Sequence, residues 1–141
     1  MFILDTDHFS LMEWREGVAR QNLLDRLSQV PPETVFTTII TYEEQTRGWM
    51  AYAARARKTA QQVEAYAKLR RHLDIYSRVQ VLEFGERAGF EFDRLRAARI
   101  KIGSMDLKIA AIALASNATM LTRNLKDFSL IPNLRIEDWT I

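Results

Sequence analysis

The chain has 141 residues, and its 48% hydrophobic and 27% charged content is the balance of a soluble globular protein, read as one domain over residues 1–141. It has no Cys and two His, His8 and His72, which excludes a disulfide framework, a thiolate nucleophile, a Cys-based zinc or iron–sulfur site and a multi-histidine metal site. The formal net charge is only +2, yet residues 45–101 hold 13 of the 20 Lys/Arg against 6 of the 18 Asp/Glu, so a basic middle lies between acidic flanks.

Phe2-Ile3-Leu4 is a short apolar run ending at Asp5, the pattern of a buried strand. Val18 to Gln29 carries apolar residues at helical spacing, and Pro31-Pro32 stops it. Val35-Phe36-Thr37 predicts a second strand. Two helical segments rich in Ala, Arg, Gln and Glu follow, from about Thr41 to about Arg57 and from about Ala60 to Ser77. Val79 to Leu82 predicts a third strand, and Glu86 to about Ile100 a helix. Gly103-Ser104 breaks that pattern before a nearly all-apolar, buried helix from Met105 to Ser116. Thr119-Met120-Leu121 and Leu134-Arg135-Ile136 complete the set as strands. The longest apolar run, Ile109–Ala115, is far short of the roughly 20 residues that cross a membrane. Asp5 and Asp7 stand where a secretory signal carries positive charge, so the chain is expected to start at Met1 and act in the cytoplasm.

Strands alternating with helices predict an α/β protein with a mainly parallel sheet covered on both faces. Such folds place their sites outside the carboxyl ends of the strands. Asp5 follows the first strand, Glu44 lies early in the helix after the second, Asp106 opens the buried helix, and Asp127 follows the fourth strand. Each has a plainer explanation. Thr41 and Glu44 have the spacing of a capping box, Ser104 suits an N-cap ahead of Asp106, and Asn124 to Asp127 suits a turn. Together they predict a cluster of repelling carboxylates, which a cation or shared protons must neutralise. All-oxygen ligands suit Mg²⁺ or Mn²⁺. Thr6, Asp7, Ser104, Thr122 and Asn124 are placed to fix the carboxylates by hydrogen bonds. Arg47, Arg55 and Arg57 are candidate contacts to a polyanion's phosphates, with a solvated helix face as the competing reading. His8 reads as structural.

These segments resemble PIN-domain ribonucleases of the VapC toxin type. Phe2-Ile3-Leu4-Asp5-Thr6-Asp7 is similar to the family's opening, and Glu44 to Gly48 to its Glu-x-x-x-Gly segment. Asp106 to Ala113 resembles its Asp-x-x-Ile-Ala-Ala-x-Ala stretch, and Thr122-Arg123-Asn124-Leu125-Lys126-Asp127-Phe128 its Thr-Arg-Asn-x-x-Asp-Phe segment. The resemblance implies a three-layer sandwich with a five-stranded parallel sheet. It also implies Mg²⁺- or Mn²⁺-dependent cleavage of RNA, transfer RNA included, and a cognate antitoxin. Homodimers are common among such toxins, and a dimer is expected here. Asp7 departs from the family's commoner Asn, and the fourth ligand stays open between Asp127 and Asn124. The competing function is a non-catalytic PIN-like module that binds RNA or protein.

Overall fold

The computed structural model describes residues 1–141. Five strands form one sheet: β1 (Phe2–Leu4), β2 (Val35–Thr38), β3 (Val81–Leu82), β4 (Thr119–Leu121) and β5 (Arg135–Glu137). Their order is β3-β2-β1-β4-β5 and every pairing is parallel. Seven helices connect them: α1 (Thr6–Trp14), α2 (Val18–Leu27), α3 (Ile39–Arg55), α4 (Thr59–Tyr76), α5 (Glu86–Ala97), α6 (Ser104–Ala115) and α7 (Leu125–Phe128). No helix is long and apolar enough to cross a membrane.

Alternation along the strands builds the two cores. Ile3 and Met120 join a core with Leu95, Ile109 and Ile112 from α5 and α6. Their neighbours Leu4 and Leu121 point the other way, into a core with Phe9, Leu23 and Ile75 from α1, α2 and α4. A sheet apolar on both faces and covered by helices on both is the predicted three-layer sandwich. In α6, Ala110, Ala111 and Ala113 are fully buried, which lets the helix lie close in its core.

The chain first runs from β1 outward through β2 to β3, then crosses back to β4 on the other side of β1. That reversal makes a crevice at the carboxyl ends of β1 and β4, whose Leu4 and Leu121 lie side by side. The Asp5 N–H, bonded to the Leu121 carbonyl at 3.1 Å, sets the first acid at that crevice.

Three local expectations are corrected. The helix carrying Glu44 starts at Ile39, not Thr41, because the Thr38 hydroxyl accepts the Thr41 N–H at 3.1 Å and caps it. Thr41 and Glu44 therefore lie inside the helix, and no capping box joins them. Gly103 rather than Ser104 is the N-cap of α6, so Ser104 is its first residue. Asn124 to Asp127 is the start of α7, capped by the Asn124 side chain, rather than a plain turn.

Candidate active site

Asp5 is 6% exposed and serves as N-cap of α1. Its Oδ1 accepts the His8 N–H at 2.8 Å, and Oδ2 has no protein donor. One oxygen is thus spent on the helix and the other is free for a ligand.

Glu44 is aimed by a chain of hydroxyls. Thr6 Oγ1 donates to Glu44 Oε1 at 2.8 Å and lies 3.1 Å from Thr41 Oγ1. A hydroxyl has one proton, and that of Thr6 goes to Glu44, so Thr41 donates to Thr6. Thr38 donates to Thr41 in turn, at 3.3 Å. The protons all run toward the carboxylate, and Thr38 and Thr41 are fully buried.

Asp106 sits in the first turn of α6, facing a cavity of about 350 Å³ that Asp5, Asp7 and Asn124 also line. Burial pushes its carboxyl up to about 6, and the charges of Glu44, Asp5 and Asp127 push in the same direction. Asp127 accepts from Asn124 Nδ2 at 2.9 Å, and Thr122 Oγ1 shapes this loop by accepting the Asn124 N–H at 3.0 Å. Of the four acids expected from the strand-edge rule, Glu44, Asp5 and Asp127 thus each act electrostatically on Asp106. Asn124 serves here to orient Asp127.

Asp7 does something else. Arg123 grips it bidentately, Nε to Oδ2 at 2.5 Å and Nη2 to Oδ1 at 2.7 Å. The guanidinium holds the Asp7 carboxyl below its ordinary range. This pair neutralises the added acid and ties α1 to the loop after β4. Ser104 makes no hydrogen bond to the acids. Arg47 lies on the surface of α3 paired with Glu43 at 2.5 Å, Arg57 is also exposed, and Arg55 lines a groove next to the acids.

The tightest trio of carboxylate and imidazole atoms, all within 4.8 Å, is Asp5, Asp7 and His8 rather than the four acids. Asp7 is already spent on Arg123, and His8 has no exposed surface. His8 Nε2 accepts the Trp139 N–H at 3.4 Å, while the His8 backbone N–H bonds Asp5 Oδ1 at 2.8 Å. His8 therefore joins the C-terminal segment to Asp5, a link between residues 131 apart that no local spacing announces. The donors left for a cation are the carboxylate oxygens of Asp5, Glu44, Asp106 and Asp127, a hard set that fits Mg²⁺ or Mn²⁺.

A doubly wound parallel sheet with acids gathered at its switch point is the architecture of a PIN domain, and the PIN domain family model matches residues 2–133. The chain belongs to this family. Ribonuclease VapC1 of Haemophilus influenzae is 31% identical over 144 residues, covering 99% of this chain and 98% of that protein. Ribonuclease VapC2 of Rickettsia felis is 42% identical over 72 residues, 48% of this chain and about half (54%) of the relative. A tRNA(fMet)-specific endonuclease VapC of Salmonella typhimurium is 34% identical over 67 residues, 45% of this chain and 51% of that protein. Among solved structures, VapBC-1 from nontypeable H. influenzae matches with a TM-score of 0.75 and 28% identity, over 99% of this chain and 98% of that one. VapBC2 from R. felis, bound to a DNA fragment from its promoter, matches with a TM-score of 0.73 and 28% identity, over 98% of each chain.

Proposed function

We propose that this chain is the toxin of a type II toxin–antitoxin pair, a Mg²⁺- or Mn²⁺-dependent endoribonuclease acting in the cytoplasm and restrained by a cognate antitoxin. Asp106 carries the reading. Its carboxyl is raised by burial and by three other acids, an arrangement relieved by a bound cation. Relatives named as ribonucleases and solved neighbours that are VapBC complexes support it.

A bound Mg²⁺ or Mn²⁺ would supply a water of lowered pKa and neutralise charge on the phosphate. Asp5, Glu44 and Asp106 would hold it, with Asp127 as the fourth acid. The protein's own contribution is orientation: the His8 N–H fixes Asp5, Thr6 aims Glu44, and Asn124 holds Asp127. Transfer RNA is the first substrate class to test, given the Salmonella relative's name. An antitoxin side chain of Lys or Arg would neutralise Asp5, Glu44 and Asp106 in the cation's place. A complex that leaves these acids open and active would exclude that mode of restraint.

The deciding experiment is RNA cleavage by wild type, Asp5→Asn and Asp106→Asn against Mg²⁺ and Mn²⁺, with thermal melts alongside. Both variants should fold yet lose nearly all cleavage. Near-normal cleavage by either, or full wild-type cleavage in EDTA, would overturn the metal site.

A further inference from the structure

Beside the acids lies a second cavity, about 470 Å³, between α1 and α3. Thr6, Ser10 and Arg15 line both cavities, and Glu44 lines this one, so the two adjoin across these residues. Its wall is aromatic: Trp14, Trp49 and Tyr52. Trp14 and Trp49 lie 4.4 Å apart between ring centroids, and Tyr52 meets Trp49 edge-on at 5.7 Å. The rings are also braced by cations. Arg71 Cζ lies 4.3 Å from the Trp14 centroid, and Lys68 Nζ lies 5.7 Å from that of Trp49. The floor is locked by Gln45, which donates to Ser10 Oγ at 2.9 Å and accepts from the Tyr76 hydroxyl at 2.6 Å.

Two more features concern an occupant. Arg15 and Arg55 are exposed on the lining, while Glu44 is its only carboxylate. Gly48 is also on the lining, one turn beyond Glu44, and a Cβ there would meet nothing within 4 Å. Packing does not demand this glycine, which in a helix interior is unfavourable by about 1 kcal/mol relative to Ala. Its effect is to leave the floor clear next to the aromatic wall.

Aromatic faces with cations beside them, adjoining the proposed cleavage site, are the components of a single-stranded nucleic-acid platform. We propose that this groove is a base-stacking subsite for the RNA nucleotide flanking the scissile phosphate, with Trp49 and Tyr52 presenting the stacking surface and Arg15 and Arg55 meeting the adjoining phosphates. This deepens the ribonuclease reading and rests on it.

The test uses a short RNA with a mapped cut and the same RNA made abasic at the flanking nucleotide. Wild type should lose about 5- to 150-fold in kcat/KM on the abasic RNA. Trp49→Ala should show that loss already on the intact RNA and little more on the abasic one. Gly48→Leu removes no packing, favours the helix and fills the floor, so it should behave the same way even if Trp49→Ala folds poorly. Equal wild-type rates on both RNAs would overturn the subsite. So would variants that keep wild-type cleavage and lose only binding to an antitoxin peptide, which would make the groove a peptide site. If wild type cleaves no RNA with any divalent ion, the ribonuclease reading fails separately. Tryptophan fluorescence with the uncut RNA then decides the groove: quenching in wild type that Gly48→Leu abolishes supports it, and no quenching overturns it.

Discussion

Thr6 gives its single hydroxyl proton to Glu44, so Thr6→Val keeps the side chain's shape while cutting the hydroxyl chain from the carboxylate it aims. Partners that orient ligands typically matter by about 10- to 100-fold in metal affinity or activity. Cleavage by Thr6→Val should fall in that range, with the apparent Mg²⁺ requirement rising and the far-ultraviolet spectrum unchanged. Asp106 gives a second expectation. Its folded carboxyl titrates near 6, against an ordinary value of 3.8. Between those values the folded chain holds a proton that the unfolded chain has released, so Asp106 makes metal-free stability fall as pH rises through this window. His72 opposes it. Burial lowers its imidazole, so stability is lost as pH falls below its ordinary 6.5. Comparing melts of wild type and Asp106→Asn from pH 4 to 7.5 in EDTA isolates the carboxylate. The variant should gain stability relative to wild type as pH rises, and Mg²⁺ should reverse the order at pH 7.5. A constant difference across the range would remove Asp106 from the electrostatic cluster.

Asp5 works both as a helix cap and as a candidate ligand, and substitution can separate the two. Asn is as good an N-cap as Asp, whereas Ala loses about 0.5–2 kcal/mol. Asp5→Asn and Asp5→Ala should be equally dead as nucleases, but only Asp5→Ala should melt early. Early melting by Asp5→Asn as well would mean that its charge, not its cap, stabilises the fold. The elements themselves were largely legible. Phe2-Ile3-Leu4 is wholly apolar, and Met120-Leu121 follows Thr119 in the same way, because both sheet faces are covered, and each run ends next to a residue of the site. α1 was not legible as an element, since its buried face includes His8 beside Phe9 and Leu11, and a polar core residue breaks the apolar period. α7 is four residues, too short to show a period at all. The start of α3 was misplaced because Thr38 and Thr41 are both good caps, and only the hydrogen bond between them tells which one is used. Within the site, Asp5 after β1 and Asp106 in the first turn of α6 are legible from their places at element ends, and both line one cavity. The Asp7–Arg123 pair and the His8–Trp139 link are not, because each joins distant segments that only the folded sheet brings together.

At the scale of the whole molecule, α3 and α4 form an arm whose surface is too apolar to be ordinary. Met50, Val63, Tyr66 and Leu73 are all more than half exposed. Long amphipathic helices that keep such residues in water mark an interaction surface, and a second copy of the chain is the partner expected from the family. Light scattering should give a dimer at micromolar concentration, and Val63→Glu with Tyr66→Glu should return a folded monomer. A wild-type monomer would exclude this use of the arm. The order of the strands has a kinetic consequence. The first strand made is the central one, and Leu4 finds its neighbour Leu121 only after nearly the whole chain has been threaded between them. Closing so long a loop is entropically uphill until the final contacts form, and folds dominated by such non-local pairings are slow. In a refolding experiment, circular dichroism should recover while nuclease activity is still missing, because the helices are local but the acids converge only with the pairing of β1 and β4. If the chain is the nuclease proposed above, a half-folded copy would leave RNA intact, because its acids assemble only with the last contacts of the fold.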